Sequence, residues 1–154
     1  MSTATAAEAI WFVDNLARVL VDGETTDSTV AVVELEGRRG DMPPLHVHRR
    51  EDEIFYVLDG RLSLHLPDGA IELDAGGAAF APRDVPHVYR VESETARWLG
   101  IAAPAGFEAF VREAGEPAPE ETLPPEGRVH DPARLGEIAA RYGIELLGPP
   151  GTLP

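Results

Sequence analysis

From Ile10 to about Ala103, apolar and polar residues alternate in short runs cut by turn residues: Arg18 to Val21, Val30 to Leu35, Leu45 to His48, Glu53 to Leu58, Leu62 to Leu66, Ala70 to Leu73, Ala78 to Ala81, His87 to Val91 and Arg97 to Ala102. Side chains two apart on a strand share a face, so many short runs of this kind predict an all-β barrel or sandwich. Asp59-Gly60 and Asp68-Gly69 tolerate positive φ and are read as antiparallel hairpin turns.

After Pro104 the period changes. Phe107, Phe110 and Val111 lie at helical spacing before Gly115. Leu135, Ile138, Ala139 and Tyr142 repeat it behind an Asp131 cap, with Pro132 at the first helical position and Gly143 as the stop. The stretch between, EPAPEETLPPEGRVH, is expected to be extended and irregular. Residues 1–103 are therefore read as the barrel and 104–154 as a short C-terminal helical appendage. Its apolar stripes are too small to fold alone. They are expected to cover the outside of the barrel or a partner chain, so removing residues 116–154 should change stability or oligomeric state.

The 154 residues, 44% of them hydrophobic, suffice for one domain with its own core. With no cysteine, any metal must be held by nitrogen and oxygen. Every cation is arginine, which excludes a lysine Schiff base and, with the abundant Ala, Gly and Pro, reads as the coding bias of a GC-rich bacterium. A net charge of -14 argues against nucleic acid and anionic membranes as partners. The N-terminal MSTATAAEAIWFVDNL lacks the basic start and apolar core of a secretory signal, and no run is long enough to span a membrane, so a cytoplasmic protein is expected.

The chemistry concentrates between Gly40 and Gly60, GDMPPLHVHRREDEIFYVLDG. His46 and His48 share one strand face and can share one ion. Glu51, Asp52 and Glu53 follow; read by themselves they form a solvated turn. Glu53, however, opens the next strand, and a turn returning the chain antiparallel would aim it at the two histidines. His87, placed after Pro82 and Pro86, is the third imidazole candidate. Three histidines and one carboxylate leave coordination positions open, as a catalytic rather than structural site requires. His65 and His130 are poorer ligands by position, Arg49, Arg50 and Arg83 read as solvated charges, and Phe55, which shares a face with Glu53 and Val57, is a better pocket candidate than Tyr56.

Gly40-x5-His46-x-His48-x4-Glu53-x6-Gly60 resembles the first cupin motif position for position, and Gly76-x5-Pro82-x4-His87 resembles most of the second. The distance to Gly60 selects Glu53 over Asp52. Two positions depart from the pattern: Asp84 stands where the family usually has glycine and Val91 where it often has asparagine, so the turn before His87 is expected to differ in shape. The resemblance implies a jelly-roll β-barrel with a metal ion inside its mouth, held by His46, His48, Glu53 and His87, commonly in a homodimer. The ending ARYGIELLGPP is similar to the tails of small single-domain bacterial cupins of the quercetin dioxygenase-like group. It points to a metal-dependent dioxygenase that brings dioxygen to a flavonol-like or other aromatic hydroxy-ketone, with Glu53 as both ligand and base. Iron, nickel, manganese, cobalt, copper and zinc all suit this ligand set. A metal-dependent isomerase, cyclase or decarboxylase of an aromatic or polyketide-like intermediate, or a non-enzymatic ligand-binding cupin, are the alternatives.

Overall fold

The computed structural model describes residues 7–154. Residues 1–6, part of the expected barrel segment and of the N-terminal stretch read above, lie outside the described residues. The strands are β1 (Ala9–Phe12), β2 (Asn15–Val21), β3 (Ala31–Arg38), β4 (Leu45–His48), β5 (Asp52–Asp59), β6 (Arg61–Leu66), β7 (Gly69–Asp74), β8 (Ala78–Ala81), β9 (Val88–Val91), β10 (Thr95–Ala103), β11 (Glu116–Pro117) and β12 (Ile144–Gly148). Two helices, α1 (Phe107–Ala114) and α2 (Pro132–Arg141), lie between β10 and β12.

The architecture is a jelly-roll-like pair of sheets. One has seven strands in the order β11-β1-β2-β3-β10-β5-β8. Opposite it, the ladders β12-β4 and β7-β6-β9 are joined by an antiparallel bridge between His46 and His87. Alternation sends Val33 and Leu35 of β3, Phe55 and Val57 of β5 and Trp98 of β10 inward from one sheet. Leu62 and Leu64 of β6 and Val91 of β9 meet them from the other, in one buried cluster. Burial of a side chain of this size contributes about 1.5–3 kcal/mol, which is why the strict period two of β3 and β5 fixes which face turns in.

Two turns behave differently from expectation. Asp68 does close a hairpin, since β6 and β7 pair with Leu66 opposite Gly69. Asp59-Gly60 does not: β5 and β6 belong to different sheets, and the turn carries the chain from one layer to the other. Gly60 has φ +78, and a Cβ there would stand 2.3 Å from the Thr95 carbonyl oxygen, so the crossover requires glycine. The segment between β4 and β5 is likewise a crossover, with no ladder between the two strands. Local turn chemistry permits a tight reversal in both places. Hairpin or crossover is decided by which sheet has an inward face to complete.

The segment after Pro104 also differs. Its helices form as the spacing predicts, with Asp131 accepting from the amides of Ala133 and Arg134 at the start of α2. It also contributes two strands that the helical reading missed. β11 adds to β1, and β12 pairs along the whole of β4, with Ile144 opposite His48 and Leu146 opposite His46. The apolar stripe of α1 does not lie on the outside of the barrel: Phe107, Phe110 and Val111 are buried within the core cluster.

Candidate metal centre

β4 carries His46 and His48 on one face, with Val47, also buried, on the other. The bridge to His87 is made by both backbone bonds, His87 N to His46 O at 3.0 Å and His46 N to His87 O at 3.4 Å, so two of the imidazoles are fixed as cross-strand neighbours. β5 brings Glu53 from the opposite sheet. It faces the histidines across the sandwich interior and not, as the sequence alone led one to expect, from the return strand of a hairpin. One ligand atom from each of His46, His48, Glu53 and His87 lies within 4.8 Å of every other, a group that can hold a metal ion.

The donor chemistry of the cluster suits such an ion. His46 Nδ1 donates to the Pro44 carbonyl at 2.7 Å, His48 Nδ1 to Glu51 Oε1 at 2.8 Å, and His87 Nδ1 approaches the Val85 carbonyl at 3.4 Å. Each ring is thereby held by its outer nitrogen, which leaves Nε2 as the inward atom. Glu53 Oε2 lies 2.8 Å from His87 Nε2 and 3.1 Å from His48 Nε2. His48 Nε2 is nevertheless buried without a hydrogen bond, and such an atom is costly unless something else takes its lone pair.

Electrostatics reinforce the clustering. Burial, then the charges of His87 and His48, push His46 down to about 3. His48 moves the other way: burial opposes its charge, but Glu53 and the bond to Glu51 outweigh this and hold it at about 10. Burial would raise Glu53, yet His48 and His87 keep its carboxyl well below the usual range. These are the opposed shifts expected where basic groups crowd one carboxylate in a low-dielectric site.

His46, His48 and Glu53 of the cluster line a pocket whose walls are mostly apolar. Phe55, in contact with His87 at a ring separation of 5.9 Å, lines it, whereas Tyr56 points outward. Phe107 and Phe110 of α1 and Ile144 and Leu146 of β12 close one side, with the Phe107 ring 5.9 Å from that of His48. Tyr89, two residues beyond His87 on the same strand face, adds a hydroxyl that donates to Asn15 Oδ1 at 2.7 Å. Burial pushes that phenol up, so it stays protonated. The remaining polar lining is acidic, from Asp14 and Asp41, and no arginine lines the pocket among the described residues.

Other candidates fall elsewhere. His65 contacts Ser63 and His130 pairs with Asp14, both away from the cluster. Arg49 pairs with Asp84 and Glu145, and Arg83 with Asp52. Arg50 donates to the Arg141 carbonyl and packs beneath Gly143, fastening α2 to the turn after β4. Asp84 adopts φ +66, in the left-handed region that glycine favours. The residue missed outright is Glu51, which is only 2% exposed although its neighbours Arg50 and Asp52 face outward. Its three-residue spacing from His48 was the available signal, hidden among three consecutive acids.

A sequence model of the cupin domain matches residues 32–102. Over 104 residues, 68% of this chain, the sequence is 33% identical to a quercetin 2,3-dioxygenase of Bacillus subtilis (strain 168), and the match spans 31% of that protein, about a third of its length. Among solved structures, the polyketide cyclase RemF from Streptomyces resistomycificus is 29% identical with a TM-score of 0.55, over 68% of this chain and 79% of that one. A predicted oxalate decarboxylase from Thermotoga maritima, 16% identical, shares the fold with a TM-score of 0.60, over 68% of this chain and 99% of its own.

Proposed function

Starting from a chain that belongs to the cupin superfamily, we propose that His46, His48, Glu53 and His87 hold one divalent transition-metal ion and that the protein is a metal-dependent dioxygenase acting on a flavonol-like or other aromatic hydroxy-ketone. The observation that carries this reading is the convergence of one atom from each of the four within 4.8 Å, three of these residues also lining a pocket with Phe55, Phe107 and Phe110. The 33% identity to a quercetin dioxygenase supports the oxygen chemistry.

When bound, the ion supplies Lewis-acid polarisation of a substrate oxygen and, if redox-active, the electron exchange that oxygen chemistry needs. The protein's own contribution is positioning and proton transfer. Phe55, Phe107 and Phe110 exclude water and stack against a planar ligand. Glu53 Oε2 receives the proton of the substrate hydroxyl. Loss of the His48 charge, which holds the Glu53 carboxyl low, makes this carboxylate more basic and also frees the His48 Nε2 lone pair to ligate.

The same pocket supports a second reading, a cyclase or isomerase that uses the ion without consuming oxygen, favoured by the 29% identity to RemF. A decarboxylase is the weaker variant, because a substrate carboxylate would meet Asp14, Asp41 and no arginine along the lining. A non-enzymatic binder completes the alternatives. Oxygen uptake by metal-reconstituted protein with flavonols is the deciding measurement. Wild type should consume oxygen and Glu53→Gln should lose at least about 100-fold in rate, the usual scale for a proton-transfer group. Turnover unchanged under strict anaerobiosis would favour the cyclase reading, and ligand binding without turnover, little altered in Glu53→Gln, the binder.

A homodimer and a cytoplasmic setting belong to this proposal. Ile54, Tyr56 and Phe80 form an exposed apolar group on the paired strands β5 and β8 that a second copy would cover. A purely monomeric sedimentation profile would remove the dimer from the proposal. No helix among the described residues is long and apolar enough to cross a membrane.

A further inference from the structure

The crossover between β4 and β5 is Arg49, Arg50 and Glu51, followed by Asp52 at the start of β5, and Arg49, Arg50 and Asp52 make the surface contacts described above. Glu51 turns inward instead. Its carboxylate is 2% exposed, and among the described residues its only side-chain hydrogen bond is the one from His48 Nδ1 at 2.8 Å. Burying an ionised carboxylate is expensive, and one imidazole N–H compensates only part of the cost. A cation on the far side of the same ring would complete the compensation, because it draws the imidazole's electrons toward Nε2 and strengthens the N–H donated to Glu51. That far side is occupied by His48 Nε2, the buried atom without a hydrogen bond that points into the His46, His48, Glu53 and His87 cluster. The other two histidines have only backbone carbonyls behind them, so His48 is the one of the three backed by a carboxyl group.

We infer that Glu51 is a positioning residue of the metal centre, holding His48 in the Nδ1–H tautomer and aiming a more basic Nε2 at the ion. The inference rests on the metal-centre reading above. Carboxylate–histidine–metal arrangements of this kind typically govern metal affinity by about 10–100-fold.

Titration calorimetry of the full chain with Zn2+ tests it, using wild type, Glu51→Gln and Glu51→Ala. The alanine variant should bind Zn2+ about 10–100-fold more weakly than wild type. The glutamine variant should fall between the two, since its amide oxygen still accepts the Nδ1 hydrogen but carries no charge. Should the alanine variant fail to fold, the glutamine variant carries the comparison. In the cobalt(II)-loaded protein, the visible ligand-field bands should also shift in Glu51→Gln, a change that a residue serving only fold stability would not produce. Folded variants with wild-type Zn2+ affinity and unshifted bands would overturn the role of Glu51 while leaving the metal centre standing. A wild-type protein that binds neither Zn2+ nor Co2+ would overturn both.

Discussion

Asp84 shows how a single residue can keep a turn that glycine usually makes. Its φ of +66 is in the left-handed region, which aspartate tolerates better than most side chains, and its amide donates to the His48 carbonyl at 2.8 Å. The turn before His87 is thus tied directly to the strand bearing the other two histidines. Asp84→Ala keeps the strain and loses the bond to Arg49, and should lower stability by about 1 kcal/mol in urea unfolding. Asp84→Gly should stay within about 0.5 kcal/mol of wild type, because relief of the strained φ offsets the loss of an exposed ion pair. The clustering of His46, His48, Glu53 and His87 was legible in the sequence because motif spacing fixes positions along the chain. Glu51 was not, since three adjacent acids look alike until burial separates them.

At the scale of elements, β12 matters most to the site. It is short and remote in sequence, yet it pairs with every residue of β4 and places Ile144, 2% exposed, opposite His48. Without it, β4 would be an edge strand held through the bridge between His46 and His87 and the bond from the Asp84 amide to the His48 carbonyl. Ile144→Ala should destabilise the protein by about 3 kcal/mol through the cavity it leaves. Amide hydrogen exchange over residues 45–48 should speed up, although no residue of β4 is changed. If β4 exchange stayed at the wild-type rate, β12 would be a passenger on an independently stable strand. The helices were readable because their periodicity and caps are local; β12 was not, because the ladder that makes IELLG a strand comes from β4, far away in the chain.

Across the whole molecule, charge and pocket lining point the same way. The chain carries -14, and Asp14, Asp41 and Glu53 line the pocket with no arginine among them. A carboxylated aromatic should therefore bind more weakly than its neutral analogue of equal size, and the gap should narrow as salt screens the field. Calorimetric titrations of such a pair at low and high ionic strength would read this directly; equal affinities at both would mean that the acidic lining is not felt by the ligand. The sequence by itself determined the β architecture, the inward faces of β3 and β5, the two helices and the residues of the His/Glu cluster, because periodicity, capping and motif spacing are properties of neighbouring residues. Only the tertiary structure decided that Glu53 reaches the histidines from the opposite sheet, that the C-terminal segment walls the pocket instead of covering the barrel, and that Glu51 stands behind His48. Each of these depends on which surfaces meet, and burial between distant segments leaves no periodic trace along the chain.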